Sequence, residues 1–272
     1  MWILSWNIRG YNNLLKKRLL KRKVEIEKPT IVLLQETKCS EEELKNIAKK
    51  SWRSCEVVGV DAWGAAGGLG ILWNPKAVSL EEFKATHFHL SASFHILGTC
   101  IIGTMSNIYS PSTTSNKQSF LDSLHWMGSR VGRNHWILAG EFNIICNLGE
   151  KRGGSRQITI HSQKFGETIE YLHLVDVSTS NGLYTWNNKR SRDIIIATWL
   201  DLFLISKSLL LGGGEISTLL IPSVDSDHWT ISLEWGQLRE NLRRQFRFEK
   251  FWLLQLSFPN LLKQWWFEFV PP

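Results

Sequence analysis

Polar residues interrupt the apolar runs of this chain at recurring places. Asn7 lies at the end of the run Met1 to Ile8, Glu36 follows Thr30 to Gln35, and Tyr109 closes Thr99 to Tyr109. Glu141 and Asn143 follow His135 to Ala139, Asp201 lies within Thr198 to Ile205, and Asp227 and His228 precede Trp229 to Glu234. In layered α/β folds strand ends converge on one edge, and ligand sites form there. Gathered at one edge, these residues supply four carboxylates, two asparagine amides, one phenol and one imidazole. Hard oxygen donors without cysteine select Mg²⁺ or Mn²⁺ over zinc. Such a cation in a basic surround suits phosphoryl chemistry. Taken singly, each residue has a plainer reading: an asparagine after a strand forms a turn, Glu36 caps the next loop, and Asp227-His228 opens an Asx turn. The ordered set is what points to a site.

The elements that must position these residues follow from periodicity. Met1 to Ile8, Thr30 to Gln35, Gly68 to Trp73, His87 to Phe94, Thr99 to Tyr109, His135 to Ala139, Leu183 to Trp186, Thr198 to Ile205, Ile216 to Leu220 and Trp229 to Glu234 read as strands. Leu14, Leu15, Leu19, Leu20 and Val24 recur at helical spacing opposite Lys16, Lys17, Arg18, Lys21 and Arg22, an amphipathic helix. Ser40 with Glu43 is a capping box that opens a helix to about Lys49. Thr113 to about Gly128 and Ser162 to His173 are the other helices. Some strands alternate with helices and others follow one another directly, which predicts mixed sheets. About ten to twelve strands are too many for one comfortable open sheet. The expected fold is therefore α/β, with two mixed sheets packed face to face and helices outside.

Composition sets wide bounds. The 272 residues, 43% hydrophobic and 21% charged, are those of an ordinary globular chain and argue against disorder. The net charge of +7 suits a polyanionic partner. Four cysteines, none in CxxC spacing, suggest neither a zinc ribbon nor a disulfide scaffold, so a reducing intracellular compartment is expected. No signal peptide is evident. The most apolar run, Ile194 to Ile205, is too short and too polar to span a bilayer, so no membrane association is expected.

With the motifs in order, the chain resembles the endonuclease/exonuclease/phosphatase superfamily. The residues that carry the resemblance are SWNIRG at Ser5 to Gly10, LLQETK at Leu33 to Lys38, NIYSP at Asn107 to Pro111, GEFN at Gly140 to Asn143, LDLFLIS at Leu200 to Ser206 and SDHW at Ser226 to Trp229. The finer texture is similar to the endonucleases of plant LINE-type (non-LTR) retrotransposons: GGLGILW at Gly67 to Trp73, YTWNN at Tyr184 to Asn188 and FRFEKFWL at Phe246 to Leu253. The resemblance implies a four-layer α/β/β/α sandwich and a DNA-nicking phosphodiesterase dependent on Mg²⁺ or Mn²⁺, with no small-molecule cofactor, acting as a monomer in the nucleus. It implies that Glu36 is the principal metal ligand, with Asn7 and Asp227 near it. Tyr109 then contacts the scissile phosphate, Asn143 orients water or a phosphate oxygen, and His228 stabilises charge on the phosphate with Asp201 holding its tautomer. An inositol-phosphate or lipid phosphatase of the same superfamily is a weaker reading, because the substrate motifs of those branches are not evident.

Two departures from the family pattern bear on activity. The family's GDFN aspartate, which orients or deprotonates the attacking water, is Glu141 here, longer by one methylene. Two arginines that the plant branch carries near Asp201 are Trp199 and Leu202. Reduced activity is expected, and a fold that only binds nucleic acid is the alternative. Basic residues remain on two loops: Lys151, Arg152 and Arg156 around Gly153-Gly154, and Lys189, Arg190 and Arg192 after Asn187-Asn188. They are either solvated turns or, as the resemblance implies, a grip on DNA. Residues 1–236 are expected to form the endonuclease-like domain, and 237–272 a linker remnant toward a missing reverse transcriptase.

Overall fold

A computed structural model describes residues 1–63, 66–132, 134–155, 157–189, 195–212, 214–221, 223, 226–237 and 258–268. The chain divides into two compact units, Met1–Leu238 and Arg239–Pro272.

The first unit is built on two six-stranded sheets. The elements, in chain order, are β1 (Trp2–Asn7), α1 (Leu14–Glu27), β2 (Ile31–Gln35), α2 (Glu41–Ser51), β3 (Glu56–Trp63), β4 (Ala66–Trp73), β5 (Val78–Ala85), β6 (His89–Ile96) and β7 (Ile102–Tyr109). They continue as α3 (Lys117–Val131), β8 (His135–Glu141), β9 (Lys151–Arg152), α4 (Ile160–Tyr171), β10 (Leu174–Asp176), β11 (Trp186–Asn187), β12 (Ala197–Thr198), β13 (Asp201–Ser206), α5 (Lys207–Leu211), β14 (Gly214–Ile221) and β15 (Thr230–Gln237). One sheet has the order β14-β15-β1-β2-β4-β3 and the other β10-β13-β8-β7-β6-β5. Both are mixed: β1 pairs parallel with β2 and antiparallel with β15, and β7 pairs parallel with β8. A third, small sheet has the order β11-β12-β9.

Alternation of side chains explains the layering. Ile3, Leu33, Ile71 and Leu233 of the first sheet meet Met105, Ile137, Ala139 and Phe203 of the second in the inter-sheet core. Their sequence neighbours point the other way. Leu4, Trp6, Val32 and Leu34 pack with Leu20 and Val24 of α1 and with Leu44 and Ile47 of α2. Trp136, Leu138 and Leu204 pack with Phe120 and Leu124 of α3 and Phe165 of α4. A strand buried on both faces must be apolar at nearly every position, which is why these runs are continuous. The result is the expected four-layer α/β/β/α sandwich.

One polar device crosses the inter-sheet core. The Gln35 amide donates to Asn107 Oδ1 at 2.6 Å and to Ser5 Oγ at 3.1 Å. The Asn107 amide donates to the carbonyls of Leu34 and Gly70, both at 2.9 Å. Gln35 and Asn107 are fully buried, so this staple ties β1, β2 and β4 to β7.

Differences from the periodicity reading lie mainly at sheet edges and short elements. The outer strands β3 and β5 were not expected. β5 carries Glu81, Glu82 and Lys84 with a bulge between Glu81 and Lys84, and such charged edges lack an apolar alternation. The run Thr198 to Ile205 is two strands, β12 and β13, broken at Trp199-Leu200. The strand expected at Leu183 to Trp186 is shorter and shifted, as β11. The Ser40 capping box is formed, with Ser40 Oγ accepting from the Glu43 N–H at 3.2 Å and Glu43 Oε2 accepting from the Ser40 N–H at 3.1 Å. In the second unit, Phe258–Glu268 is a helix, α6; the FRFEKFWL segment lies outside the described residues. Among the described residues no helix is long and apolar enough to cross a membrane.

Candidate active site

The ends of β1, β2, β8 and β13 bring five of the expected residues into one buried network. Asn7 ends β1 and is fully buried. Its amide nitrogen donates to Glu36 Oε1 at 3.1 Å and also to Glu141 Oε2. Glu141 and Asp201 face each other directly in the β8–β13 register. His228 Nδ1 lies 3.0 Å from Asp201 Oδ2, and its Nε2 lies 3.8 Å from Glu141 Oε1. Glu141, Asp201 and His228 are all below 5% exposed.

Asp227 joins this network at its exposed side. Its Oδ2 accepts from the Arg9 guanidinium and from Trp186 Nε1, the latter at 3.0 Å. Arg9 Nε in turn lies 3.9 Å from Glu36 Oε2. Tyr109, the last residue of β7, pairs in register with Glu141. Its phenol is pushed up by burial and by the charges of Glu36 and Glu141, so it stays protonated. Asn143 sits just past β8, but its amide donates to the Ser110 carbonyl at 2.9 Å rather than into the carboxylate network. Lys151 and Arg152 form β9 and pair with Thr198 and Ala197. Exposed Lys189 follows β11. Arg156, Arg190 and Arg192 lie outside the described residues.

Several structural contributors were not singled out from the sequence. Thr185 is fully buried, and its Oγ1 accepts from the N–H groups of Leu200 and Asp201, both at 3.0 Å. Its carbonyl accepts from the Trp229 N–H at 2.7 Å, so it joins the strand of Asp201 to that of His228. Ser226 Oγ accepts from the His228 N–H at 3.2 Å. Lys117, nearly buried at the start of α3, donates to the Asn143 carbonyl at 2.7 Å. Thr185 and Ser226 stand inside the YTWNN and SDHW motifs, which was the available signal. Arg9 and Lys38 stand in motifs too, yet only the fold reveals what they touch.

Backbone strain concentrates here. Arg9, Glu36, Lys38 and Asn143 adopt left-handed conformations, with φ of 46°, 48°, 53° and 53°. Each costs about 1–3 kcal/mol for a residue other than glycine and persists only where the surroundings over-determine it.

The charges are strongly coupled to burial. Burial pulls the His228 imidazole down, but Asp201, Glu141 and Asp227 outweigh it and raise it to about 9. Burial, opposed by His228 and aided by Asp201 and Glu36, raises the Glu141 carboxyl to about 7. Burial also pushes Glu36 up, but the Asn7 hydrogen bond and the cations Lys38 and Arg9 prevail and hold it below its usual range. At neutral pH the site therefore holds an imidazolium between two acidic side chains.

The donors fit a hard divalent cation in their chemistry. Glu36 and Asp227 offer carboxylate oxygens and Asn7 an amide oxygen, the ligand type of Mg²⁺ or Mn²⁺. Positive charge already stands among them, since Lys38 Nζ lies 3.2 Å from Glu36 Oε2 and Arg9 bonds Asp227. Among the described residues no three Asp, Glu, His or Cys side chains close into a ready-made cation cage.

Comparison with known proteins places this geometry. The model of the Endonuclease/Exonuclease/phosphatase family matches residues 4–228, and the chain belongs to that family. Its fold is similar to that of a 3'-5' exonuclease (NExo) from Neisseria meningitidis, with 16% identity, a TM-score of 0.70, and coverage of 87% of this chain and 100% of that one. It is similar to the AP endonuclease LMAP from Leishmania major, with 18% identity, a TM-score of 0.68 and 87% of each chain covered. It is also similar to the endonuclease domain of TRAS1, a telomere-specific non-LTR retrotransposon, with 15% identity, a TM-score of 0.68, and coverage of 88% of this chain and 98% of that one.

Proposed function

We propose that this chain is a divalent-metal-dependent phosphodiesterase that nicks DNA, of the retrotransposon endonuclease type, with its rate lowered by Glu141. The observation that carries the reading is the buried line from Asn7 through Glu141 and His228 to Asp201, closed by contacts of 3.8 Å and 3.0 Å on the two sides of one imidazole. Neighbours described as endonucleases support DNA as the substrate.

On this reading Asn7, Glu36 and Asp227 hold Mg²⁺ or Mn²⁺, which when bound stabilises negative charge on the phosphoryl oxygens. His228, kept charged by Asp201, donates toward a phosphate oxygen as charge builds there. Glu141, raised to about 7, is poised to take a proton from the attacking water. Tyr109 and Asn143 position the phosphate. Lys151, Arg152 and Lys189, with Arg156, Arg190 and Arg192, bind backbone phosphates with little sequence preference. Residues 1–236 are the catalytic domain, and 237–272 a connector toward a reverse transcriptase.

The test is relaxation of supercoiled plasmid at millimolar Mg²⁺ or Mn²⁺. Nicking that stops with a chelator, and that falls at least about a hundredfold in Glu36→Ala and in His228→Ala, is the expected result. Absence of nicking by cleanly folded protein would sink the enzymatic reading. Salt-sensitive DNA binding without turnover would then identify a binding relic of the fold.

A further inference from the structure

Arg9 stands at the rim of the candidate site without a catalytic assignment. It follows β1 in a left-handed conformation, with φ of 46°. Two bonds fix that turn: the Arg9 N–H donates to Asn7 Oδ1 at 3.0 Å, and its carbonyl accepts from Lys16 Nζ at 2.7 Å. From this root the guanidinium reaches the rim, where Nη1 donates to Asp227 Oδ2 and Nε lies 3.9 Å from Glu36 Oε2. Its side chain is 44% exposed, so the guanidinium has water on one side into which it can swing. A strained backbone, held at both ends, thus aims one cation at the two carboxylates assigned above to a divalent ion.

We propose that Arg9 is an internal counter-cation that competes with a divalent ion for the carboxylates of Glu36 and Asp227. Metal loading is then an exchange, in which the guanidinium leaves the carboxylates as the ion arrives. Two consequences follow. Arg9 weakens metal affinity, because the ion must displace a charge-assisted hydrogen bond. Arg9 also compensates the clustered carboxylates while the metal is absent. The inference rests on the reading of Asn7, Glu36 and Asp227 as metal ligands.

The experiment titrates Mn²⁺ into metal-free protein and counts the free ion by its electron paramagnetic resonance signal. Arg9→Gln is expected to bind Mn²⁺ about three- to fivefold more tightly than the natural protein, the upper weight of a half-exposed ion pair. In chelator its melting temperature is expected to fall, and Mn²⁺ to raise it by more than in the natural protein. Arg9→Lys keeps the charge but loses the fork that bridges two carboxylates, so it is expected to tighten binding about twofold. It carries the test if Arg9→Gln does not melt cooperatively. Equal or weaker Mn²⁺ affinity in the variants, with binding still lost in Glu36→Ala, overturns the role of Arg9 and leaves the metal-site reading standing. Failure of every protein to bind Mn²⁺ at millimolar concentration overturns both.

Discussion

Glu141 is the residue on which the proposed activity turns. It is almost wholly buried, its carboxylate is hydrogen-bonded by Asn7, and it lies 3.8 Å from the His228 imidazole. A base needs placement within roughly 0.5 Å, and a 1 Å error costs about a hundredfold. Glu141→Asp shortens the reach by one methylene in a site whose other members are already placed. Plasmid nicking by this variant is expected to be about ten- to a hundredfold faster than by the natural protein. An unchanged or slower rate would show that the extra methylene is not what limits turnover. At this scale the sequence was informative for short side chains at strand ends. The Asp201–His228 pairing was legible only through the family resemblance that the motifs carry, and the two side chains do meet, at 3.0 Å. Arg9 could not be placed, because a cation at the end of a long flexible side chain touches whatever the topology brings near it. Asn143 stood out by its motif, yet its bond to the Ser110 carbonyl was not legible.

The strand ends hold the site because neighbouring strands of one sheet approach closely beneath it. Gly140 shows how closely: a Cβ built there would lie 2.0 Å from the Ile108 carbonyl oxygen, and its φ of 142° disfavours any other residue. Gly140 and Ile108 are partners in the parallel β7–β8 pairing, one step before Tyr109 and Glu141. Gly140→Ala is expected to destabilise the protein by at least about 3 kcal/mol or to abolish folding, which urea denaturation will measure. A loss under about 1 kcal/mol would mean that the two strands part easily there. Central strands such as β1, β2 and β8 were legible because burial on both faces demands an unbroken apolar run. The edge strands β3 and β5 were not, since Gly59, Asp61, Glu81 and Lys84 serve an exposed rim and interrupt any alternation. The short helix α5 was likewise hidden, because five apolar-rich residues after a strand continue its pattern.

Stability of the whole molecule should respond to acid through a group remote from the site. His89 opens β6, is 1% exposed, and shares a hydrogen bond of 2.9 Å between Nδ1 and Thr86 Oγ1. Burial lowers its pKa from 6.5 to about 4. The fold therefore favours the neutral ring, and this contribution is intact above pH 6.5 and drains away as the pH falls toward 4. It amounts to ~3 kcal/mol at most. Urea midpoints measured across that range are expected to fall with acid in the natural protein and to fall less steeply in His89→Gln. Parallel slopes in the two proteins would assign the acid sensitivity elsewhere.

The pairing of β1 with both β2 and β15 has a consequence for how the chain is made. β1 is synthesised well before β15, so it acquires its second neighbour only once residues 230–237 are made. Until then one long margin of an apolar ribbon stands open, with unanswered amides that any other extended chain can join. Between the synthesis of β1 and that of β15 the nascent chain thus carries a sticky, unfinished edge that chaperones can shelter.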